Sequence, residues 1–174
     1  DAHVVMLKGP MGEGKTFGGT GGVIYHARRN NRPIRGALVR DTFQNIKTST
    51  IPDIREYLGD RAHFTDDGKK LHIRCTPAVE LDLFGIDDEA SIQKLQGPQY
   101  AIIWLEEPAP IYEKANAGLP YEVFKIALAR AARQQGTVPR LQLTHNPADE
   151  DHWTSELAER PDGVYAGWCD PETG

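Results

Sequence analysis

The chain has 174 residues, 39% of them hydrophobic and 26% charged, which suits one globular domain with a sizeable core. Its net charge of −5 argues against holding nucleic acid through bulk positive charge, although it leaves room for a local basic surface. The two cysteines lack the spacing of a disulfide framework, and the six histidines lack that of a metal site. We expect neither a membrane span nor a signal peptide. A reducing, cytoplasmic setting is therefore predicted.

The first predicted element is a short apolar strand, HVVML over residues 3–7, which GPMGEGKT follows almost directly. This run fits G-x-x-x-x-G-K-T, the phosphate-binding loop, whose glycines let backbone N–H groups and a helix N-terminus surround phosphate. In that loop Lys15 reaches the β- and γ-phosphates and the Thr16 hydroxyl ligates Mg²⁺. A chance match in a glycine-rich turn is the alternative. The predicted phosphate-binding residues are Gly9, Pro10, Met11, Gly12, Glu13, Gly14, Lys15 and Thr16.

A helix over residues 15–29 should follow, although it contains four glycines that each cost about 1 kcal/mol relative to alanine. Such a load is tolerable where a helix packs very close to a sheet; an irregular first turn is the alternative. The next predictions are a strand at 36–40, two short helices within 42–59 broken at Pro52, a hairpin over 63–75 turning at Asp67 and Gly68, a strand at 79–85 and a helix over 87–97.

The most apolar strand is YAIIWL, at residues 100–105, as expected of a central parallel strand. A helix over 121–136, a strand at 140–144, a helix over 149–160 and a last strand at 163–168 complete the pattern. Strands that alternate with helices predict an α/β fold with a mainly parallel sheet covered by helices.

Two acidic residues, Glu106 and Glu107, end the central strand. Ligands of open α/β sheets bind at the carboxyl ends of the strands, so this pair is expected beside the phosphate loop. The first acid would hold Mg²⁺ and the second would take a proton from the attacking water. Asp is commoner at the first position, and a solvated turn is the alternative interpretation of the pair.

A third polar group, Thr144, His145 and Asn146, follows the strand at 140–144. These residues are expected at the same sheet edge, facing the γ-phosphate. A polar Thr144 or Asn146 there could sense that phosphate and pass the signal onward. An ordinary Asn-Pro turn is the alternative.

Three segments together resemble the ATPase domain of viral large terminases, the motors that pack double-stranded DNA into capsids. They are LKGPMGEGKT, LFGIDDEASIQKLQGPQYAIIWLEEP and LTHNP, and LVRDTFQNI is also similar to the segment after the second strand of that family. The resemblance covers residues 4 to about 153. It implies a P-loop NTPase fold of the ASCE/RecA-like type, with helices on both faces of the sheet and a small antiparallel hairpin.

The resemblance also implies the roles of individual residues. Residues 9–16 would bind phosphate, and Thr16 and Glu106 would bind Mg²⁺. Glu107 would act as the general base. Coupling would fall to residues 144–146, and Arg40 would lie near the sheet edge beside the nucleotide. Members of the family also use an arginine finger, often from a neighbouring subunit, for which the candidates here are Lys94, Arg130 and Arg133, the last two one turn apart on one helix face.

The function that the resemblance implies is Mg²⁺-dependent ATP hydrolysis that drives DNA translocation. The implied partners are double-stranded DNA, a portal protein and a small terminase subunit, in a homo-oligomeric ring in the host-cell cytoplasm and without a membrane. We expect one ATPase domain over residues 1–174, with 148–174 as a lid or linker. No nuclease activity is expected, because the family's C-terminal nuclease domain would begin later, and the upstream adenine-binding segment is expected to be missing or truncated.

Other classes of P-loop protein are less well supported by the sequence. A small-molecule or nucleoside kinase needs an arginine-bearing lid, and no convincing lid follows the phosphate loop. A GTP switch needs N-K-x-D, whereas THNPAD lacks the lysine. Another RecA-like, nucleic-acid-dependent ATPase is a further alternative. A purely structural role is disfavoured because no position of the phosphate loop is substituted.

Overall fold

The computed structural model describes residues 3–87, 89–95, 97–109, 118–131, 133–148 and 152–159. The strands are β1 (Val4–Lys8), β2 (Ile34–Arg40), β3 (Ala62–Thr65), β4 (Lys70–Ile73), β5 (Val79–Gly85), β6 (Ile102–Glu106) and β7 (Arg140–His145). The α-helices are α1 (Lys15–Asn30), α2 (Phe43–Asn45), α3 (Ile51–Leu58), α4 (Glu89–Lys94), α5 (Tyr121–Arg130) and α6 (Trp153–Glu159), and a π-helical turn (Ile46–Thr50) joins α2 to α3. No helix in the described ranges has the length and apolar character needed to cross a membrane.

All seven strands form one sheet in the order β1-β7-β6-β2-β5-β4-β3. The first five strands of that order are parallel, and β4 pairs antiparallel with β5 on one side and with β3 on the other. The mainly parallel sheet and the β3–β4 hairpin, which turns at Asp66–Gly68, are therefore as predicted. Because the five strands are parallel, the ends of β1, β7, β6 and β2 come together at one edge of the sheet.

The central strands send alternate side chains to two opposite layers. Leu38 and Trp104 belong to a hydrophobic cluster with α1 and α3. Their neighbours Val39 and Leu105 belong to a second cluster with α5 and α6. The prediction of helices on both faces of the sheet is confirmed.

The glycines of α1 allow that helix to lie directly on the sheet. A Cβ atom on Gly19 would lie 2.2 Å from Cζ2 of Trp104, and one on Gly22 would lie 2.2 Å from Oε1 of Gln142. The Gln142 side-chain amide also donates to the carbonyl of Gly19 at 2.9 Å. Of the two explanations for the glycine load, close packing is the one that the structure supports.

Three predicted boundaries were wrong. No gap separates two helices at Pro52, because the π-helical turn runs directly into α3 and Pro52 lies in the first turn of α3. Helix α4 ends at Lys94, before Gly97. Helix α5 ends at Arg130 instead of residue 136, since the N–H groups of Arg133 and Gln134 both donate to the carbonyl of Tyr100. The strand predicted at 163–168 and Cys169 lie outside the described residues.

Replacing Gly19 with alanine should destabilise the fold, because the new methyl group overlaps the rigid indole of Trp104. We expect the free energy of unfolding to fall by about 1–3 kcal/mol. Gly21→Ala is the matched control: a Cβ there meets nothing within 4 Å, so the gain in helix propensity should stabilise by about 0.5–1 kcal/mol. Urea denaturation followed by circular dichroism measures both, and a Gly19→Ala variant as stable as the wild type would contradict the packing argument.

Candidate active site

The phosphate-binding loop connects β1 to α1 at the carboxyl edge of the sheet. Gly12 and Gly14 have φ values of 85° and 70°, which glycine adopts without steric cost. The N–H group of Gly9 donates to the carbonyl of His145 at 3.2 Å, so the loop is attached to the end of β7. Helix α1 begins at Lys15, as predicted, and its N-terminus therefore faces the curled loop.

The Lys15 side chain links the loop to the ends of two strands. Its Nζ donates to the Pro10 carbonyl at 2.8 Å and to Oδ1 of Asn146 at 2.9 Å. It also lies 3.7 Å from Oε1 of Glu107, and its side chain is only 10% exposed. One lysine thus joins the residues predicted for phosphate binding, for general-base catalysis and for sensing.

Glu107 follows β6 in a left-handed conformation, with φ of 49°. Such a conformation costs of order 1–3 kcal/mol in a residue other than glycine, and strained backbone of this kind clusters at active sites. The Glu107 N–H donates to the Thr144 carbonyl at 2.7 Å, and its Oε2 accepts from Nδ2 of Asn146 at 2.8 Å. Burial raises the pKa of the Glu107 carboxyl, while the nearby Lys15 cation acts in the opposite direction.

Glu106 is buried, with 2% of its surface exposed, and each of its carboxylate oxygens has a partner. Oε1 accepts from the Thr16 hydroxyl at 2.9 Å. Oε2 accepts from the Thr50 hydroxyl and lies 3.8 Å from Nη1 of Arg40. Burial raises the pKa of the Glu106 carboxyl, and the Arg40 cation, followed by the two hydroxyl groups, counteracts that rise.

The pair of Thr16 and Glu106 fits a magnesium ion. Mg²⁺ prefers oxygen ligands and is usually held by one or two carboxylates together with substrate phosphates and water. A hydroxyl and a carboxylate oxygen lie here 2.9 Å apart, next to the phosphate loop. The described ranges contain no group of three or more His, Cys, Asp or Glu side chains that could hold a metal ion.

The last two residues of β7, Thr144 and His145, and the following Asn146 do not share one orientation. Asn146 contacts both Lys15 and Glu107, as expected of a residue in the site. The Thr144 hydroxyl instead accepts a hydrogen bond from Nε1 of Trp104 at 2.8 Å within the core. His145 is fully buried, and its Nδ1 lies 2.6 Å from the carbonyl oxygen of Asn146, so that its orientation toward the γ-phosphate stays a prediction.

The candidate finger residues lie away from this site. The Arg133 N–H donates at 3.2 Å to the carbonyl of Tyr100, which precedes β6, whereas Glu106 is the last residue of that strand. Arg130 ends α5, and the two arginines do not share one helix face, since α5 has already ended. Lys94 is the last residue of α4, and its side chain lies outside the described residues.

Two residues that contribute to the geometry of the site could not be identified from the sequence alone. Thr50 lies in a predicted helical segment with no motif of its own, and only the fold brings its hydroxyl to Glu106. Trp104 resembles an ordinary core residue of an apolar strand, yet its indole joins α1, β6 and β7.

Arg40 was expected beside the nucleotide; in the structure its partners are Glu106, Thr50 and Asp41.

The Trp104–Thr144 hydrogen bond gives a stability prediction. Thr144→Val keeps the shape of the side chain but leaves the buried indole N–H without an acceptor, so the free energy of unfolding should fall by about 1–3 kcal/mol. Thr144→Ser keeps the hydroxyl, so its free energy of unfolding should fall by less. Urea denaturation measures both variants, and a Thr144→Val protein as stable as the wild type would contradict a stabilising role of this hydrogen bond.

Comparison with known proteins supports the fold. The sequence matches no protein-family model and no curated protein sequence. Among solved structures, the large terminase of a thermophilic bacteriophage has a TM-score of 0.74 at 22% identity over 92% of this chain. The complex of that terminase with ATP-γ-S has a TM-score of 0.65 at 18% identity over 87% of the chain.

A second phage protein has a similar fold. The N-terminal domain of the DNA packaging ATPase of bacteriophage phi29 has a TM-score of 0.55 at 14% identity, over 82% of this chain and 72% of that domain. The chain spans 38% of the length of the large terminase in the first of these structures and 34% of its length in the ATP-γ-S complex. It therefore has the fold shared by the ATPase regions of phage DNA-packaging proteins.

Proposed function

We propose that this chain is an ATP-hydrolysing motor domain. The observation that supports this most directly is the convergence of Lys15, Asn146 and Glu107 at the end of the phosphate loop. A cation for phosphate, a carboxylate for water and a polar residue that contacts both are the components that hydrolysis of a γ-phosphate requires. The similar phage protein solved with ATP-γ-S adds support for the nucleotide.

Each group of the site has one role in the proposed reaction. The loop amides and Lys15 bind and orient the phosphates, and Glu107 accepts the proton of the attacking water. A magnesium ion held by Thr16 and Glu106 would neutralise charge on the phosphate oxygens. Asn146 holds the Glu107 carboxylate in place through its amide group.

The contact between Lys15 and Glu107 suggests how the base is kept inactive before nucleotide binds. Lys15 Nζ lies 3.7 Å from a Glu107 oxygen and donates to Asn146. The phosphates of ATP carry more negative charge than one carboxylate and would attract the Lys15 ammonium group. Glu107 would then be free to bind water, so that the base becomes available only when its substrate is present.

We further propose that the motor moves double-stranded DNA into a capsid in the host-cell cytoplasm, as a ring with a portal protein and a small terminase subunit. The support is the similarity in fold to phage packaging ATPases. In such a ring the arginine finger would come from a neighbouring copy. Arg130 ends α5 and the Arg133 N–H donates to the carbonyl of Tyr100, before β6; we propose that one of the two serves the site of a neighbouring copy.

Two substitutions test the proposed hydrolysis. Lys15→Ala should abolish phosphate release from ATP, because the phosphates lose their cation. Glu107→Gln should still bind ATP but release phosphate at least about 100-fold more slowly, because an amide cannot accept the proton. The exposed residues Lys69 and Glu56 supply matched controls, Lys69→Ala and Glu56→Gln. Near-normal turnover by Glu107→Gln would reject Glu107 as the base.

The dependence of activity on protein concentration tests the ring. If a neighbouring copy completes the site, phosphate release per molecule should rise with protein concentration, and duplex DNA should stimulate it further. Lys15→Ala serves as the blank. A specific activity that is constant with concentration and unaffected by DNA would mean that one chain holds a complete site, and would count against a DNA-translocating ring.

A further inference from the structure

The two oxygens of the Glu106 carboxylate face different segments of the chain. Oε1 accepts from Thr16 of the phosphate loop region. Oε2 faces the segment after β2, where it accepts from the Thr50 hydroxyl and lies 3.8 Å from Nη1 of Arg40. Arg40 also donates to Oγ1 of Thr50 at 3.1 Å, so Arg40, Thr50 and Glu106 form a closed set of three.

The sheet register explains the position of Arg40. Leu38 pairs with Trp104 across the parallel strands β2 and β6. Two residues further along, on the same face of the sheet, Arg40 therefore comes beside Glu106. The Arg40 side chain is only 12% exposed and that of Glu106 only 3%, so their charges interact where water screens them little.

The π-helical turn explains the position of Thr50. Within that turn Lys47, Thr48 and Ser49 are exposed, whereas Thr50 is fully buried. Ile51 and Ile54, just beyond it, pack in the hydrophobic cluster under α1 and fix the start of α3. π-Helical turns are rare and occur frequently at functional sites. Here the turn brings one hydroxyl to the buried carboxylate.

We propose that Thr50 and Arg40 are positioning residues that hold the Glu106 carboxylate for the metal bound with ATP. The inference rests on the proposed function. Glutamate has one more rotatable bond than aspartate, so its carboxylate needs more contacts to stay in one place. Thr50 and Arg40 fix Oε2 from the side of β2, and Oε1 is thereby directed at Thr16. Groups that hydrogen-bond to metal ligands typically contribute about 10–100-fold to metal affinity.

Equilibrium binding of a fluorescent ATP analogue, with no turnover required, tests this proposal. The dissociation constant is measured in EDTA and across a Mg²⁺ titration for the whole chain. For Thr50→Val we expect the Mg²⁺ concentration that produces half of the change in nucleotide affinity to rise about 10-fold. The dissociation constant in EDTA should change less than about twofold. Thr50→Ser should restore the wild-type Mg²⁺ dependence. Thr48→Val, which removes an exposed hydroxyl of the same turn, should match the wild type.

Arg40→Lys provides a second variant, because it keeps the charge but loses the fixed donor geometry, and it should shift the Mg²⁺ dependence in the same direction. Thermal unfolding of each variant identifies any that fails to fold. A folded Thr50→Val or Arg40→Lys protein with wild-type Mg²⁺ dependence would overturn the positioning role alone. Absence of Mg²⁺-dependent nucleotide binding by the wild type would overturn the proposed function as well.

Discussion

The site depends on a cation for each of two adjacent carboxylates. Glu106 and Glu107 are consecutive residues in a largely buried position, where burial raises the pKa of both carboxyl groups. The structure pairs Glu106 with Arg40 from β2 and Glu107 with Lys15 from α1. The left-handed backbone of Glu107 is part of the same arrangement, because strand alternation alone would direct its side chain to the opposite face, away from Lys15.

Trp104 connects this electrostatic arrangement to the hydrophobic core. Its indole packs against the backbone of α1 at Gly19, and its N–H donates to Thr144 of β7. Two residues later the same strand ends in Glu106. A shift of α1 relative to the sheet would therefore displace the strand that carries the acids and the strand that carries Asn146. The contacts that stabilise the fold are in this way also those that set the distances within the site.

Local patterns in the sequence predicted the parts that depend on local chemistry. The phosphate loop follows from its glycines and lysine, the central strand from its apolar run, and the hairpin from Asp67 and Gly68. The meeting of Lys15, Glu107 and Asn146 also followed, since parallel strands end at one edge. The association of the loop with the acidic strand thus needed only the alternation of strands and helices.

The remaining features depend on contacts distant in sequence. Helix α5 ends early because the Tyr100 carbonyl, thirty residues earlier, takes the N–H groups that would have continued the turn. Thr50 joins the site because a π-helical turn rotates it inward, and no residue pattern distinguishes such a turn from an ordinary helix. Thr144 points into the core because Trp104 lies on the neighbouring strand. Propensity and periodicity carry no information about these partners.

The glycine-rich face of α1 has a consequence for folding. With Gly18, Gly19, Gly21 and Gly22 in its first half, this segment has little tendency to form a helix alone, and it becomes helical only when it docks on Trp104 and Gln142. The phosphate loop owes its shape to the start of that helix. A ligand bound at the loop would therefore stabilise the docked helix and, through it, the sheet, so that binding and folding of this half of the domain are thermodynamically linked.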